Sequence, residues 1–276
     1  MHGPGAPLFL LSDFGLRDAY VGVMRAVVAG LAPRSAVHDL VHELPPQDLT
    51  GARIQLAAAL PWVPDGAVVC AVVDPGVGTD RHAVALRAVH PDGRSLWAVA
   101  PDNGLLTMLL RRDRPPYAST ARARDAWRLD PEALGARGPG TTFDGRDLFA
   151  PAAARLARGD PPDSLGGTID AATLTTAATP ELATEGDAIV GRVVWIDRFG
   201  DLVSDVPADR LPSAPWIAQV AGRGVQGPSP GFAAVPTGAP VAYLGSFGTV
   251  EVALRDGDAA SAWGIGRGAE VRVSPA

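Results

Sequence analysis

The chain has 276 residues, 47% hydrophobic and 20% charged, a composition that excludes disorder and collagen-like repetition and can fill one large core or two smaller ones. Thirty acidic against twenty-four basic residues give a net charge of −6, so no broad basic field exists for a phosphate backbone and nucleic acid is not an expected partner. Every basic residue is Arg and none is Lys, which removes Schiff-base chemistry, pyridoxal phosphate anchoring and the lysine of Walker-type phosphate loops.

Pro7–Leu11 reads as a strand, Asp18 as the cap of a helix running to about Leu31, Ala36–Val41 as a second strand and Gln47–Leu60 as a second helix, which is βαβ grammar. Ala67–Val73 is apolar on both faces, as expected of a central strand in a mostly parallel sheet covered by helices. Cys70, the only cysteine, lies within it and reads as an inert core thiol; alone it forms neither a disulfide within the chain nor a cysteine-rich zinc site. A hairpin over Ala83–Val89 and Leu96–Ala100 follows, then a helix over Gly104–Arg112 and another over Arg146–Arg158. Arg111-Arg112 and Arg122-Ala123-Arg124 read as solvated faces.

Pro161-Pro162, Gly166-Gly167 and an aperiodic Thr/Ala run mark a connection, which divides the chain into an N-terminal α/β domain over 1–165, a linker over 166–186 and a smaller C-terminal β-barrel domain over 187–276. The C-terminal part alternates short β-like runs, Ala188–Ile196, Pro215–Val220, Pro240–Leu244, Val250–Leu254 and Glu270–Val273, with Gly- and Pro-rich turns and one short helix near Asp256–Trp263. No stretch reaches the roughly eighteen apolar residues of a membrane span. Met1-His2-Gly3-Pro4-Gly5 lacks the order of a signal peptide, so a cytoplasmic protein without membrane contact is expected.

Four clusters place carboxylates and glycines at the ends of expected strands, where ligands of open α/β sheets collect. Asp13 lies in Leu11-Ser12-Asp13-Phe14-Gly15-Leu16-Arg17-Asp18 and can either bind a hydroxylated ligand or cap its own turn. Val72-Val73-Asp74-Pro75-Gly76-Val77-Gly78-Thr79-Asp80-Arg81 delivers Asp74 from a buried strand into a glycine-rich loop that ends at Arg81. In Gly140-Thr141-Thr142-Phe143-Asp144-Gly145-Arg146-Asp147, Asp144 stands where a helix N-cap belongs. Trp195-Ile196-Asp197-Arg198-Phe199-Gly200-Asp201-Leu202-Val203-Ser204-Asp205 crowds three carboxylates around one aromatic, which a solvated strand-turn-strand explains equally well. Gly76-Val77-Gly78 lacks the third glycine of a dinucleotide fingerprint, no Gly-x-Ser-x-Gly elbow surrounds Ser246, and His38 and His42 fall in strand and loop, away from helical metal-ligand spacing. No metal site is expected.

Taken in order, Ser12-Asp13-Phe14-Gly15, Val73-Asp74-Pro75-Gly76-Val77-Gly78-Thr79, Thr142-Phe143-Asp144-Gly145-Arg146-Asp147 and Asp197-Arg198-Phe199-Gly200 resemble the S-adenosyl-L-methionine hydroxide adenosyltransferase family, relatives of the fluorinase and chlorinase enzymes. Pro45-Pro46-Gln47-Asp48, Pro101-Asp102-Asn103-Gly104 and Ala242-Tyr243-Leu244-Gly245-Ser246 extend the likeness over nearly the whole chain. The resemblance implies attack of water or hydroxide on the ribose C5′ of S-adenosyl-L-methionine, giving adenosine and L-methionine without an added cofactor. It implies a homotrimer with active sites between subunits, and assigns Asp74 and Arg81 to the water. Family members carry His where Asp144 stands, and commonly Asn at Asp201 and Asp205. Two carboxylates facing one small pocket are expected to share a proton, with one acting as base; the alternative is that Asp144 only caps its helix. Asp13, Asp18, Asp197, Phe199, Asp201, Tyr243, Ser246 and Glu251 carry over as substrate contacts. The resemblance makes halide an unsuited nucleophile beside two acids, and leaves a binding protein without turnover as the reading of a different class.

Overall fold

The computed structural model describes residues 5–135, 142–213 and 215–276; Met1–Pro4, together with Gly140 and Thr141 of the third cluster, lie outside them. The chain divides into two compact units: residues 1–112 with 119–178, and residues 113–118 with 179–276.

The first unit is built on a seven-stranded sheet of order β2-β1-β3-β5-β4-β6-β7, with β1 Leu8–Ser12, β2 Val37–Val41, β3 Val68–Val72, β4 Ala83–Val89, β5 Ser95–Pro101, β6 Arg122–Leu129 and β7 Gly166–Ile169. β2, β1, β3 and β5 pair in parallel, whereas β4, β6 and β7 join through antiparallel ladders. β3 is buried at every residue, as its unbroken apolar run requires, and burial pushes the Cys70 thiol up to about 12. Leu8, Leu10, Val68, Cys70 and Val72 form one core with Met24 and Val28 of α1 (Tyr20–Leu31) and the alanine-rich α5 (Ala150–Arg158). Small side chains on α5 let a helix lie close to the strands. α2 (Leu49–Ala59) is capped by Asp48, whose carboxylate accepts from the Gly51 N–H at 2.9 Å. Among the described residues, no helix is long and apolar enough to cross a membrane.

Several local expectations give way to longer-range contacts. α1 begins at Tyr20 with Ala19 at its cap position and no side-chain cap, so Asp18 stands one residue too early and is exposed. The helix placed over Gly104–Arg112 contracts to α3 (Thr107–Leu110), because Gly104 sits at φ +90°. Arg122 is not on a solvated face: its guanidinium donates to the Met108 and Ala121 carbonyls while its backbone runs in β6. α4 (Pro131–Leu134) follows β6. The stretch 166–186, read as a linker, carries the edge strand β7, whose Gly166–Ile169 pairs with β6, and the short β8 (Ala183–Glu185) of the second unit.

The second unit is an antiparallel, nearly closed barrel-like sheet of order β12-β11-β15-β9-β10-β14-β13, with β8 beside β9. Its strands are β9 Ala188–Ile196, β10 Leu202–Pro207, β11 Trp216–Val220, β12 Arg223–Gly227, β13 Pro240–Leu244, β14 Thr249–Leu254 and β15 Glu270–Pro275; α6 (Ala259–Trp263) starts from an Asp258 cap. Val193, Leu202, Val206, Trp216, Val250, Val252 and Val273 fill the interior. The edge strands approach where the Ser229 N–H donates to the Ala242 carbonyl at 2.8 Å. Residues 113–118 belong here: Tyr117 is fully buried, and Arg114 donates to the Asp205 carbonyl at 3.0 Å and pairs with its carboxylate at 3.2 Å.

Gly227 sets the width of this seam, since a methyl there would fall 2.4 Å from the Trp216 ring and 3.0 Å from the Ala242 carbonyl oxygen. Gly227→Ala should therefore cost about 1–3 kcal/mol, read as a lower urea midpoint; an unchanged midpoint would show that the seam can widen freely.

Candidate active site

The carboxyl ends of adjacent parallel strands bring Asp13 and Asp74, both expected at the site, to one edge of the sheet together with two residues that were not. Asp13 follows β1, His42 follows β2, Asp74 follows β3 and Asn103 follows β5. The loop after β3 folds back on itself: the Thr79 hydroxyl donates to the Gly76 carbonyl at 2.7 Å, and Gly78 takes φ +81°. Arg81 thereby returns to Asp74. Its Nε donates to both Asp74 oxygens, at 3.0 and 2.9 Å, and its Nη2 donates to Asp74 Oδ2 and Asp144 Oδ2. A methyl on Gly76 would stand 3.3 Å from Arg81 Cγ, so a glycine keeps the return path open.

Asp144 does not cap its helix. Its backbone is already helical, its side chain makes no cap hydrogen bond, and the Phe143 carbonyl accepts from the Arg146 and Asp147 N–H groups instead. A π-turn over Gly145–Phe149 opens α5, and the Asp144 carboxylate is spent on Arg81. Gly145 is the hinge of this packing, because a methyl would lie 2.9 Å from Phe143, 3.0 Å from Phe14 and 3.1 Å from Met24.

The three charged groups differ in burial. The Asp74 side chain is 5% exposed, Arg81 12% and Asp144 24%, so Asp144 is the acid most open to a ligand. Burial alone would lower the Arg81 pKa, but hydrogen bonds and charge from Asp74 and Asp144 outweigh it and raise the value further. The positive charge between the two acids is thus a permanent guanidinium, which does for them what a shared proton would do. Arg81 also lies over the buried Phe149 ring at 5.3 Å.

Of the groups around this triad, the sequence reading singled out Asp13 but not Asn103 or the aromatic rings. Asn103 Nδ2 donates to the Val73 carbonyl at 2.9 Å, fixing the backbone immediately before Asp74. Phe14, Tyr20 and Phe143 form an aromatic cluster with centroids 5.0–5.8 Å apart, Tyr20 being half-exposed. Asp13 holds no turn of its own: its Oδ2 accepts from the Gln47 N–H at 2.6 Å. Residues at 14, 20 and 143 share no local pattern, so only the fold discloses their proximity.

In the second unit, Asp197 Oδ1 accepts from the Phe199 and Asp201 N–H groups, both at 2.9 Å, and shapes a turn that leaves Phe199 76% exposed. Asp201 and Glu251 are buried, each 5% exposed, and the Tyr243 hydroxyl donates to Asp201 Oδ2 at 3.0 Å. Glu251 Oε1 is buried without a hydrogen-bond partner, and Ser246 is exposed. Asp205 is not a solvated charge of the turn; it is fully buried, accepting from the Arg192 N–H at 2.7 Å. Burial, reinforced by Asp197 and Asp201 and opposed by the Tyr243 hydrogen bond, pushes Glu251 from 4.5 up to about 7. Burial first, then Asp197, also raises Asp201.

A carboxyl whose pKa rises on folding binds its proton more tightly in the native state, so its ionisation costs stability as pH climbs from about 4.5 to about 7. Glu251→Gln should exceed the parent in stability by on the order of 1–3 kcal/mol above pH 7 and match it near pH 4. Denaturant unfolding at both pH values checks this; an equal difference at each would remove the titration from the explanation.

The chain is similar to several known proteins. Models of the N-terminal and C-terminal domains of SAM hydroxide adenosyltransferase match residues 8–166 and 191–272. The (R)-S-adenosyl-L-methionine hydrolase of Thermus thermophilus is 47% identical over 97% of this chain and 99% of its own, and that of Salinispora arenicola 37% over 95% of each. A fluorinase from Actinopolyspora mzabensis is 26% identical over 96% of this chain and 95% of its own. Crystal structures of conserved proteins from Thermotoga maritima and Thermus thermophilus superpose with TM-scores of 0.83 and 0.73, at 28% and 45% identity, each covering 97% of this chain and 99% of the other. The chain belongs to the S-adenosyl-L-methionine hydroxide adenosyltransferase family.

Proposed function

We propose that this protein hydrolyses S-adenosyl-L-methionine to adenosine and L-methionine, with Arg81, Asp74 and Asp144 holding the attacking water. The observation that carries the reading is the Arg81 guanidinium fixed between two carboxylates at the carboxyl end of β3. Relatives named (R)-S-adenosyl-L-methionine hydrolase support the substrate and its sulfonium epimer.

The water oxygen bonds to C5′ as the C5′–S bond breaks, and the bonding pair stays on sulfur. The sulfonium becomes the neutral thioether of methionine, so the leaving group needs no acid. Alignment of the water supplies several kcal/mol of the rate. Arg81 steadies the hydroxide-like charge that develops on the oxygen, and its pKa keeps it from losing its own proton. Asp144, the more exposed acid, receives the proton from water, while Asp74 anchors Arg81. Two acids against one cation leave a net charge of −1, which favours a sulfonium and repels a halide.

Asp13, Asp18, Asp197, Phe199, Asp201, Tyr243, Ser246 and Glu251 complete the proposed substrate contacts: the carboxylates for the cationic and hydroxyl groups, the Phe199 ring for adenine. We place the protein in the cytoplasm and assign it a homotrimer in which each site takes the first unit of one copy and the second unit of its neighbour. Support comes from large apolar side chains left exposed on the chain, Leu16, Phe199 and Leu244 among them.

Asp74→Asn and Arg81→Lys should each lower kcat by about 10²-fold or more with KM moving far less. Turnover in H₂¹⁸O should place the label in adenosine. Full activity of either variant, unlabelled adenosine, or 5′-chloro-5′-deoxyadenosine formed in chloride would overturn the reading. The assembly has its own test: Asp74→Asn and Asp197→Ala chains, each inactive alone, should recover roughly a quarter of the sites when co-expressed. No recovery would mean that each site is built within one chain.

A further inference from the structure

Beside the triad, the loop after β1 and the loop after β2 are stitched together residue by residue. Ser12 Oγ lies 2.7 Å from His42 Nδ1, both side chains buried. Asp13 Oδ2 accepts from the Gln47 N–H at 2.6 Å. The Phe14 N–H donates to Ser12 Oγ at 3.3 Å, the Gly15 N–H to the His42 carbonyl at 2.8 Å, and the Leu16 N–H to Glu43 Oε1 at 2.9 Å. Every residue from 12 to 16 is therefore held, directly or through Ser12, by residues 42–47.

Burial fixes the charge of the imidazole. Burial, with the Arg25 charge adding and Glu43 opposing, pushes His42 down to about 4, so the ring is uncharged at neutral pH. An uncharged imidazole has one acceptor nitrogen. Ser12 Oγ accepts from the Phe14 N–H and keeps both its own hydrogen and a second lone pair for Nδ1, so the serine and the imidazole are bonded in either tautomer, with Nε2 the nitrogen turned away from the serine. That nitrogen lies 3.2 Å from Asp39 Oδ1, off the line of a hydrogen bond, and Asp39 is itself engaged by Arg25 Nε at 3.1 Å.

A buried imidazole needs a polar partner in any role; here that partner belongs to the loop that carries Asp13, and the exposed Glu43 bonds the same loop. Gln47 sits at φ +65°, a conformation that a residue other than glycine keeps only when its surroundings hold it, and the Asp13 carboxylate is one of the groups that does so. Phe14 packs edge-on to Phe143, next to Asp144, so a shift of the first loop would reach both the substrate contact and the wall beside the triad.

We infer that His42 and Glu43 are positioning residues: through Ser12, Gly15 and Leu16 they fix the loop that presents Asp13 to the substrate, without touching it themselves. The inference rests on Asp13 being a substrate contact, and the test separates the two claims. Glu43 is exposed, so Glu43→Ala should fold, raise KM by about fivefold and leave kcat within about twofold, while Glu43→Gln, which keeps an acceptor oxygen, restores KM. His42→Leu should raise KM by about tenfold, and His42→Asn, whose amide can donate to or accept from Ser12, should recover most of it. If Asp13→Asn raises KM but neither Glu43→Ala nor His42→Leu does, the positioning role is overturned; a fall in Tm with KM unchanged has the same meaning. If Asp13→Asn leaves KM unchanged, the substrate contact itself fails. Should His42→Leu not fold, the Glu43 pair decides.

Discussion

The first unit is organised around a single guanidinium. Arg81 can sit among buried groups only because two carboxylates compensate it, and those acids come from sequence positions 74 and 144, on either side of the β4–β6 excursion. A buried cation deprived of one partner would cost several kcal/mol. The loop after β3, the π-turn before α5 and the glycines at 76 and 145 all serve that meeting, each allowing an approach that a larger residue would block. The same electrostatics suits the reaction: a fixed cation stabilises an oxygen nucleophile, and the surplus negative charge attracts a sulfonium.

The second unit handles charge differently. Asp201 and Glu251 are buried close to Asp197, and burial and mutual repulsion raise the pKa of both. A carboxyl that keeps its proton can donate as well as accept, which widens the hydrogen bonds available beside Tyr243. The molecule thus sets acids against a guanidinium in one unit and buries acids beside one another in the other.

Much of the architecture was legible because apolar periodicity is local. β1, β2, β3, the β4–β5 hairpin, α2 and most of the barrel strands follow from runs of residues that alternate or cluster. β10 and β12 escaped notice, since Ser204 and Asp205 interrupt one and two glycines the other. β7 was hidden in a Gly-Gly stretch that reads as a turn. Asp74 and Arg81 could be named from a single loop. Asp144 could be named only by resemblance, and its cap geometry misled, because its partner lies sixty-three residues away and the π-turn alters the register that a normal helix would have. The aromatic cluster of Phe14, Tyr20 and Phe143 had no signal at all in the order of residues.

Residues 113–118 leave the first unit, lodge Tyr117 and Arg114 in the second, and return to β6. The second unit is consequently discontinuous in the gene: a fragment cut at any one point after residue 118 omits the buried Tyr117 and the counter-charge of Asp205. Exchange of barrels between relatives by a single crossover would mismatch that plug with its socket, so natural recombination in such chains must either carry two separate segments together or preserve the fit between them.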